Sequence, residues 1–198
     1  FLFLITKMLL RLVFGFFKVI VLGNYLMTVK YNQWLIQFPI DSWWYHYLDS
    51  LRYGLHLYVK FAGYSDIAIG FASLLGFRVA ENFNFPFLAT NISDFWRRWH
   101  ISLSSWCRDY VYLPVISYTR RPALAAIASM LVLGAWHELS LQYLLWGIWH
   151  GAGIAIYQTW SKTSLQSSLN RGWISKIWIP IAGFITLNFV ILSFTLTS

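Results

Sequence analysis

The chain has 198 residues, of which 58% are hydrophobic, 20% aromatic and only 11% charged. Soluble domains are roughly half apolar and a quarter charged, so this chain has too few polar groups to cover its own surface, and lipid is the solvent that suits it. Fifteen Lys and Arg against seven Asp and Glu give a net charge of +8, but these residues are scattered between apolar segments. There is no polar domain in which a nucleic-acid groove could form, so they read as flanking charges that orient helices beside a membrane. The single Cys107 excludes an internal disulfide.

The sequence opens at Phe1 without a Met and stops at Ser198 inside an apolar run, so it reads as a piece of a longer protein. The opening stretch is evenly apolar and has no small-residue cleavage site, and it is taken as a retained helix rather than a signal peptide. A bilayer core of about 30 Å needs roughly 20 apolar residues in helix, and four stretches approach that length. In the first, Phe1–Leu22, Lys7, Arg11 and Lys18 fall on one face, which marks an interfacial helix or one facing a wet interior. Thr28 to Asp49, with Pro39, Asp41 and the Trp43, Trp44, Tyr45 cluster, is expected to be a loop with an interfacial patch.

The second stretch is Leu51–Phe77, interrupted by Lys60 and Asp66, which should face protein or water rather than lipid. Arg78 to Phe87 should be irregular, because Pro86 disfavours helix before it and Asn82 and Asn84 compete for backbone bonds. A short helix is expected from Asn91, capped towards Asp94, with Phe95, Trp99, Ser102 and Trp106 on one face. Pro122 to Trp160 is too long for one span and requires a break or a steep tilt. Within it, Gly147, Gly151 and Ala155 form a stripe of small residues on which another helix can pack. A polar connection, Ser161–Lys176, precedes the last span, Trp178–Leu196.

His137 lies in one of the most apolar stretches, and an imidazole in hydrocarbon costs several kcal/mol unless satisfied. It is either a helix-packing histidine or a general base, since its ordinary pKa lies near working pH. His100 and His150 are further candidates, whereas His46 and His56 lie near interfaces and need no explanation. Metal binding is disfavoured by spacing: on an unbroken helix, His137 and His150 would point about 140° apart. Sharing one site would require a break near Ser140, and a partner from another segment, such as His100, is more plausible. No Gly-x-Ser-x-Gly elbow occurs, and Asp66 and Glu138 form no glycosidase pair.

Phe61-Ala-Gly-Tyr-Ser-Asp66-Ile-Ala-Ile-Gly70, Leu75-Gly-Phe-Arg78, Glu81-Asn-Phe-Asn84, Asp94-Phe-Trp-Arg-Arg-Trp-His100-Ile-Ser-Leu-Ser104 and Arg108-Asp-Tyr-Val-Tyr-Leu-Pro114 closely resemble the bacterial membrane-bound O-acyltransferases of the alginate O-acetyltransferase and D-alanyl-lipoteichoic acid transfer type. Gly134-Ala-Trp-His137 and Trp146-Gly-Ile-Trp-His150-Gly continue the likeness, which covers nearly the whole chain. It implies an all-α, polytopic helical bundle with short re-entrant or interfacial helices, a single domain over 1–198, and a multi-pass place in the bacterial cytoplasmic membrane.

The resemblance also implies an activity. An acyl group, most simply acetyl, would pass from a cytoplasmic thioester, coenzyme A or an acyl-carrier protein, to a hydroxyl of an exported polysaccharide, polyol or cell-envelope polymer, in some systems through an extracytoplasmic acyltransferase partner. No tightly bound cofactor and no metal is implied. By motif, His137 matches the histidine taken as general base, His100 its partner and His150 a further histidine, with Glu138 and Asp66 as possible supporting groups. Arg97, Arg98 and Arg108, with Trp99, suit a phosphate-bearing donor or an anionic polymer; positive-inside anchoring explains the arginines equally well. Lys60, Ala62, Glu138 and the short Ile116–Arg121 region depart from the family pattern. A non-catalytic scaffold or polymer-export subunit and a proton-coupled transporter are the rival classes. Orientation is open, because both Arg78–Arg121 and Ser161–Lys176 carry positive excess.

Overall fold

The computed structural model describes the backbone of residues 2–197 and the side chains of residues 5–197. The described residues form helices, with no strand beyond an isolated bridge between Phe83 and Trp99. The chain divides into two compact units, one reaching to Asn82 and the other Phe83–Thr197.

In the first unit, α1 (Leu2–Phe17) runs on through wider, π-type turns at Lys18–Lys30 into α2 (Tyr31–Leu35). The loop expected from Thr28 to Asp49 is therefore confined to residues 36–42. Packing explains the difference: Leu35 is buried, and Trp34 meets Tyr31 and Phe38 edge-on at 5.4 and 4.9 Å. Ser42 starts the long α3 (Trp43–Leu74) by accepting a hydrogen bond from the Tyr45 amide at 3.1 Å. α1 and α3 approach where both lack a side chain, since a Cβ on Gly15 would stand 2.8 Å from the Gly63 carbonyl and one on Gly63 2.9 Å from that of Gly15. This approach aims two residues of the charged stripe at α3. Lys18 pairs with Asp66 at 2.6 Å, Arg11 with Asp66 at 3.0 Å, and Arg11 also grips Glu81 with both terminal nitrogens. Arg11 and Lys18 thus face protein.

In the second unit, the irregular stretch ends in a tight turn at Pro86–Leu88, and Asn91 caps α4 (Ile92–Arg98) by accepting from the Asp94 amide at 2.8 Å. The single helical face expected for Phe95, Trp99, Ser102 and Trp106 does not form. α4 stops at Arg98, and α5 (Ile101–Cys107) starts anew after a break at Trp99 and His100. Wider turns at Arg108–Tyr112 and α6 (Leu113–Thr119) lead to α7 (Pro122–His137). Of the break or steep tilt expected within Pro122–Trp160, the structure shows a break, at Glu138–Ser140, and α8 (Leu141–Trp160) follows it. α9 (Ser164–Leu169) lies inside the polar connection, before α10 (Ile174–Ser193) and a final turn at Phe194–Leu196. Among the described residues one helix, the 23 residues Ile174–Leu196, is long and apolar enough to cross a bilayer, and Pro122–His137 is a shorter apolar helix.

α7 and α8 fold back on each other across Glu138–Ser140. The small-residue stripe is the reason: a Cβ on Gly147 would stand 2.6 Å from the Met130 carbonyl, and one on Gly151 2.7 Å from the Ile127 Cα. At Gly134 a Cβ would collide with the Tyr143 carbonyl. Backbones this close exclude any side chain at the contact. Gly147→Val is expected to cost at least about 1–3 kcal/mol, read as a lower thermal midpoint of the full-length protein. Gly183→Ala, inside α10 and with a Cβ that meets nothing nearer than 3.8 Å, should not lower the midpoint and should raise it slightly, by up to about 1 kcal/mol of added stability.

Candidate active site

The break after α4 places His100. Trp99 leaves the helix in an extended conformation, bridges to Phe83, stacks on Phe95 at 5.5 Å and meets Phe83 edge-on at 5.3 Å. The Asn84 amide donates to the Arg98 carbonyl at 2.9 Å and fastens this crossing. The chain then turns through His100 at φ 44°, ψ 57°, the left-handed region. A residue with a Cβ pays roughly 1–2 kcal/mol there. The Ser104 hydroxyl, donating to the Trp99 carbonyl at 2.9 Å, and the Ser104 amide, donating to the His100 carbonyl at 2.9 Å, hold the turn. Such strain persists where the surroundings over-determine it, often at functional sites.

His137 ends α7. Glu138 is extended, and Ser140 restarts the helix with a long, 3.5 Å acceptance from the Tyr143 amide. The reversal lays Tyr143 flat on the His137 imidazole, with centroids 5.6 Å apart and planes 22° apart. Trp136 and Trp146 meet the same imidazole steeply, at 4.9 and 5.8 Å. Trp136 also reaches the His100 ring at 6.2 Å. Burial, and next to it the neighbouring His137, lower the His100 imidazole from its ordinary value to about 4; His100 is therefore neutral at physiological pH. The two histidines expected to act together are neighbours.

His150 stands differently. It is 1% exposed, and its Nδ1 accepts from the Trp96 indole N–H at 3.3 Å. An indole nitrogen only donates, so Nδ1 is unprotonated and, in the neutral ring, Nε2 carries the hydrogen. Nε2 lies 2.9 Å from the Ser193 hydroxyl, which in turn donates to the Val190 carbonyl at 2.7 Å. Both ring nitrogens are satisfied within the protein, as in a packing histidine. The break removes the angular separation of an unbroken helix, and Trp146 links the two rings, 5.8 Å from His137 and 4.7 Å from His150.

The remaining candidates separate further. Asp66 belongs to the first unit, with Lys18 and Arg11 on its two oxygens. Glu138 is exposed at the hairpin tip. Arg98 is tied to Asp94 at 2.8 Å, and Trp99 is buried among Phe83, Phe87 and Phe95. Arg97 and Arg108 instead line a cavity of about 440 Å³ together with Ser104, Ser105, Tyr112 and Gln158. Arg108 is paired there with Asp109 at 2.8 Å, and Arg97 only loosely with Asp94 at 3.6 Å. Neither His100 nor His137 lines this cavity or the apolar one of about 280 Å³ between α8 and α10. Among the described residues no three of His, Cys, Asp and Glu gather as metal ligands would.

Tyr143, Trp146, Trp96 and Ser193 are site residues that sequence reasoning did not single out. The tryptophan-rich run around His150 could have suggested Trp146, but nothing in sequence marks Ser193.

The sequence model of the membrane-bound O-acyltransferase family matches residues 2–196. The chain belongs to that family. It is 36% identical over 182 residues to a probable alginate O-acetylase AlgI of Pseudomonas fluorescens, covering 88% of this chain and 36% of that protein. It is 33% identical over 153 residues to a teichoic acid D-alanyltransferase of Bacillus subtilis, covering 72% and 36%, and 33% identical over 154 residues to a peptidoglycan O-acetyltransferase of Helicobacter pylori, covering 76% and 27%. The chain spans about a third of the length of these relatives. The family match bears out the resemblance read from the motifs that carry His100 and His137.

Ser193→Ala would leave the buried His150 N–H without an acceptor, at an expected cost of about 1–3 kcal/mol. Thermal unfolding of the detergent-extracted full-length protein measures it, with Glu138→Gln as an exposed control whose midpoint should not move.

Proposed function

We propose that the second unit carries the acyl-transfer centre of a membrane-embedded O-acyltransferase of the bacterial cytoplasmic membrane. The protein moves an acyl group, acetyl by preference, from a cytoplasmic thioester to a hydroxyl of an exported polysaccharide or cell-envelope polymer. The observation that carries this reading is His137 at a helix break, ringed by aromatics and beside His100, in a family whose similar members are named for acylating alginate, teichoic acid and peptidoglycan.

In this reading, an imidazole nitrogen of His137 takes the acceptor's hydroxyl proton as that oxygen bonds to the thioester carbonyl carbon. Collapse of the tetrahedral intermediate breaks the C–S bond, and the departing thiolate recovers the proton from the imidazolium. The chain's own residues need no resident cofactor for these steps. Within the second unit no carboxylate among the described residues forms an ion pair with His137. The stacked Tyr143 ring instead fixes the imidazole plane and offers its π face to the imidazolium. His100, neutral at working pH, adds a hydrogen-bonding group without adding a like charge.

Arg97 and Arg108, on the walls of the 440 Å³ cavity, suit the phosphates of coenzyme A or of a carrier protein's phosphopantetheine. Arg98 is instead tied to Asp94 within α4, and Trp99 packs on Phe95 and crosses Phe83.

Polymer acylation in cells carrying the full-length protein tests this reading. With membrane abundance matched, His137→Ala should lower acylation by about 10²-fold or more. Unchanged acylation would rule out His137 as the base.

A further inference from the structure

The apolar cavity between α8 and α10 takes no part in this mechanism. Its lining runs from Trp178 to Phe189 on α10 and from Gly153 to Trp160 on α8. Eleven residues of helix rise about 16 Å, which is the depth of one leaflet, half of a hydrocarbon core of about 30 Å. Because α10 begins the stretch that is long and apolar enough to span, the slot opens near one end of that span and stops short of the other. Phe189 closes the deep end. Its ring fills the space over Gly153, where a Cβ would stand 2.5 Å from it, and it stacks on Trp149 at 4.9 Å. At the mouth Trp160 and Trp178 stand 6.5 Å apart, as rings do where hydrocarbon meets headgroups.

The polar groups of the walls are bound to the protein itself. The Trp160 indole N–H donates to the Gln166 carboxamide oxygen at 2.6 Å, and the Thr186 hydroxyl donates to the Ala182 carbonyl at 2.8 Å. A volume of about 280 Å³ drawn out over this length has room for one extended hydrocarbon chain. It is too narrow for a helix, which is roughly 10–12 Å across with its side chains. The connection that joins the two helices at the mouth carries Lys162, Arg171 and Lys176, all exposed, and no acid. None of the three belongs to an ion pair among the described residues.

We infer that the slot holds one acyl chain of an anionic phospholipid, with its phosphate on the basic connection. An empty slot would leave its walls without dispersion contacts on one side, and a fatty chain supplies them. At headgroup level each Lys or Arg adds attraction for a negative lipid. Neither His100 nor His137 lines the slot, so the inference does not depend on the acyl-transfer reading.

The probe is a phosphatidylglycerol with a photoreactive group in one acyl chain, offered to the full-length protein in nanodiscs of zwitterionic lipid. Irradiation should label the stretches from Gly153 to Trp160 and from Trp178 to Phe189, located by peptide mass spectrometry. Unlabelled phosphatidylglycerol should displace the probe at a mole fraction about tenfold lower than phosphatidylethanolamine. Ala182→Phe, which puts a ring into the slot, should cut labelling about tenfold; if it does not accumulate, Ile185→Phe replaces it. The triple variant Lys162→Gln, Arg171→Gln, Lys176→Gln should still be labelled there but lose the preference between the two lipids.

Absence of label from both stretches, the result expected where another part of the full-length chain fills the slot, overturns the inference. So does equal displacement by the two lipids in the wild type, or labelling that a ring at 182 or 185 leaves unchanged.

Discussion

The close approach of α7 and α8 is the constraint on which the candidate site depends. Glycine at 134, 147 and 151 lets the two backbones come nearer than any side chain would permit. Only at that distance does the chain reverse across Glu138–Ser140 with Tyr143 stacked on His137 and Trp146 edge-on to it. An imidazole at a helix end would otherwise be free to turn. Here its plane is fixed by rings that belong to the next helix. Trp146 continues the contact inward to His150, whose two nitrogens are bound by Trp96 and Ser193. One histidine is thus built into the wall behind the other.

The second element of the site has a different origin. His100 reaches its place because α4 ends early and the backbone passes through a left-handed residue, supported by Ser104 and by the crossing of Trp99 over Phe83. Histidine tolerates this conformation better than most residues with a Cβ, yet the strain remains. A hinge of this kind sets one ring with little freedom, which suits a group that has to meet a partner from another helix.

Much of this was legible in the sequence, and the limits have physical causes. That Pro122–Trp160 must break or tilt followed from length alone, though not where, and the small-residue stripe told that another helix would pack there, though not that α7 itself would. The Asn91 cap was readable because a side-chain acceptor three residues ahead of its donor is a local signal. The interruption at Trp99 and His100 was not readable, since neither residue breaks helices and the cause is a tertiary pairing with Phe83 and Asn84. The persistence of helix through Leu35 was likewise decided by ring packing. Charge read from sequence marked Lys7, Arg11 and Lys18 as one face but left open what that face met; for Arg11 and Lys18 the answer is Asp66 and Glu81. Aromatic residues are the least legible part. Twelve Trp and twelve Tyr occur, and only its burial and its contacts with His137 and His150 separate Trp146 from those at an interface.

The chemistry we propose is a base held by aromatic surfaces and accompanied by a neutral histidine, in a family of acyl-transfer proteins. Its central claim is positional: the reacting carbonyl carbon and the acceptor oxygen meet at His137. The most direct measurement is a cryo-electron-microscopy structure of the full-length protein with a non-hydrolysable thioester analogue bound. The account predicts the carbonyl carbon within about 4–5 Å of a His137 ring nitrogen, leaving room for one hydroxyl oxygen between them. A carbonyl carbon seated elsewhere, with no path for a hydroxyl to His137, would contradict it.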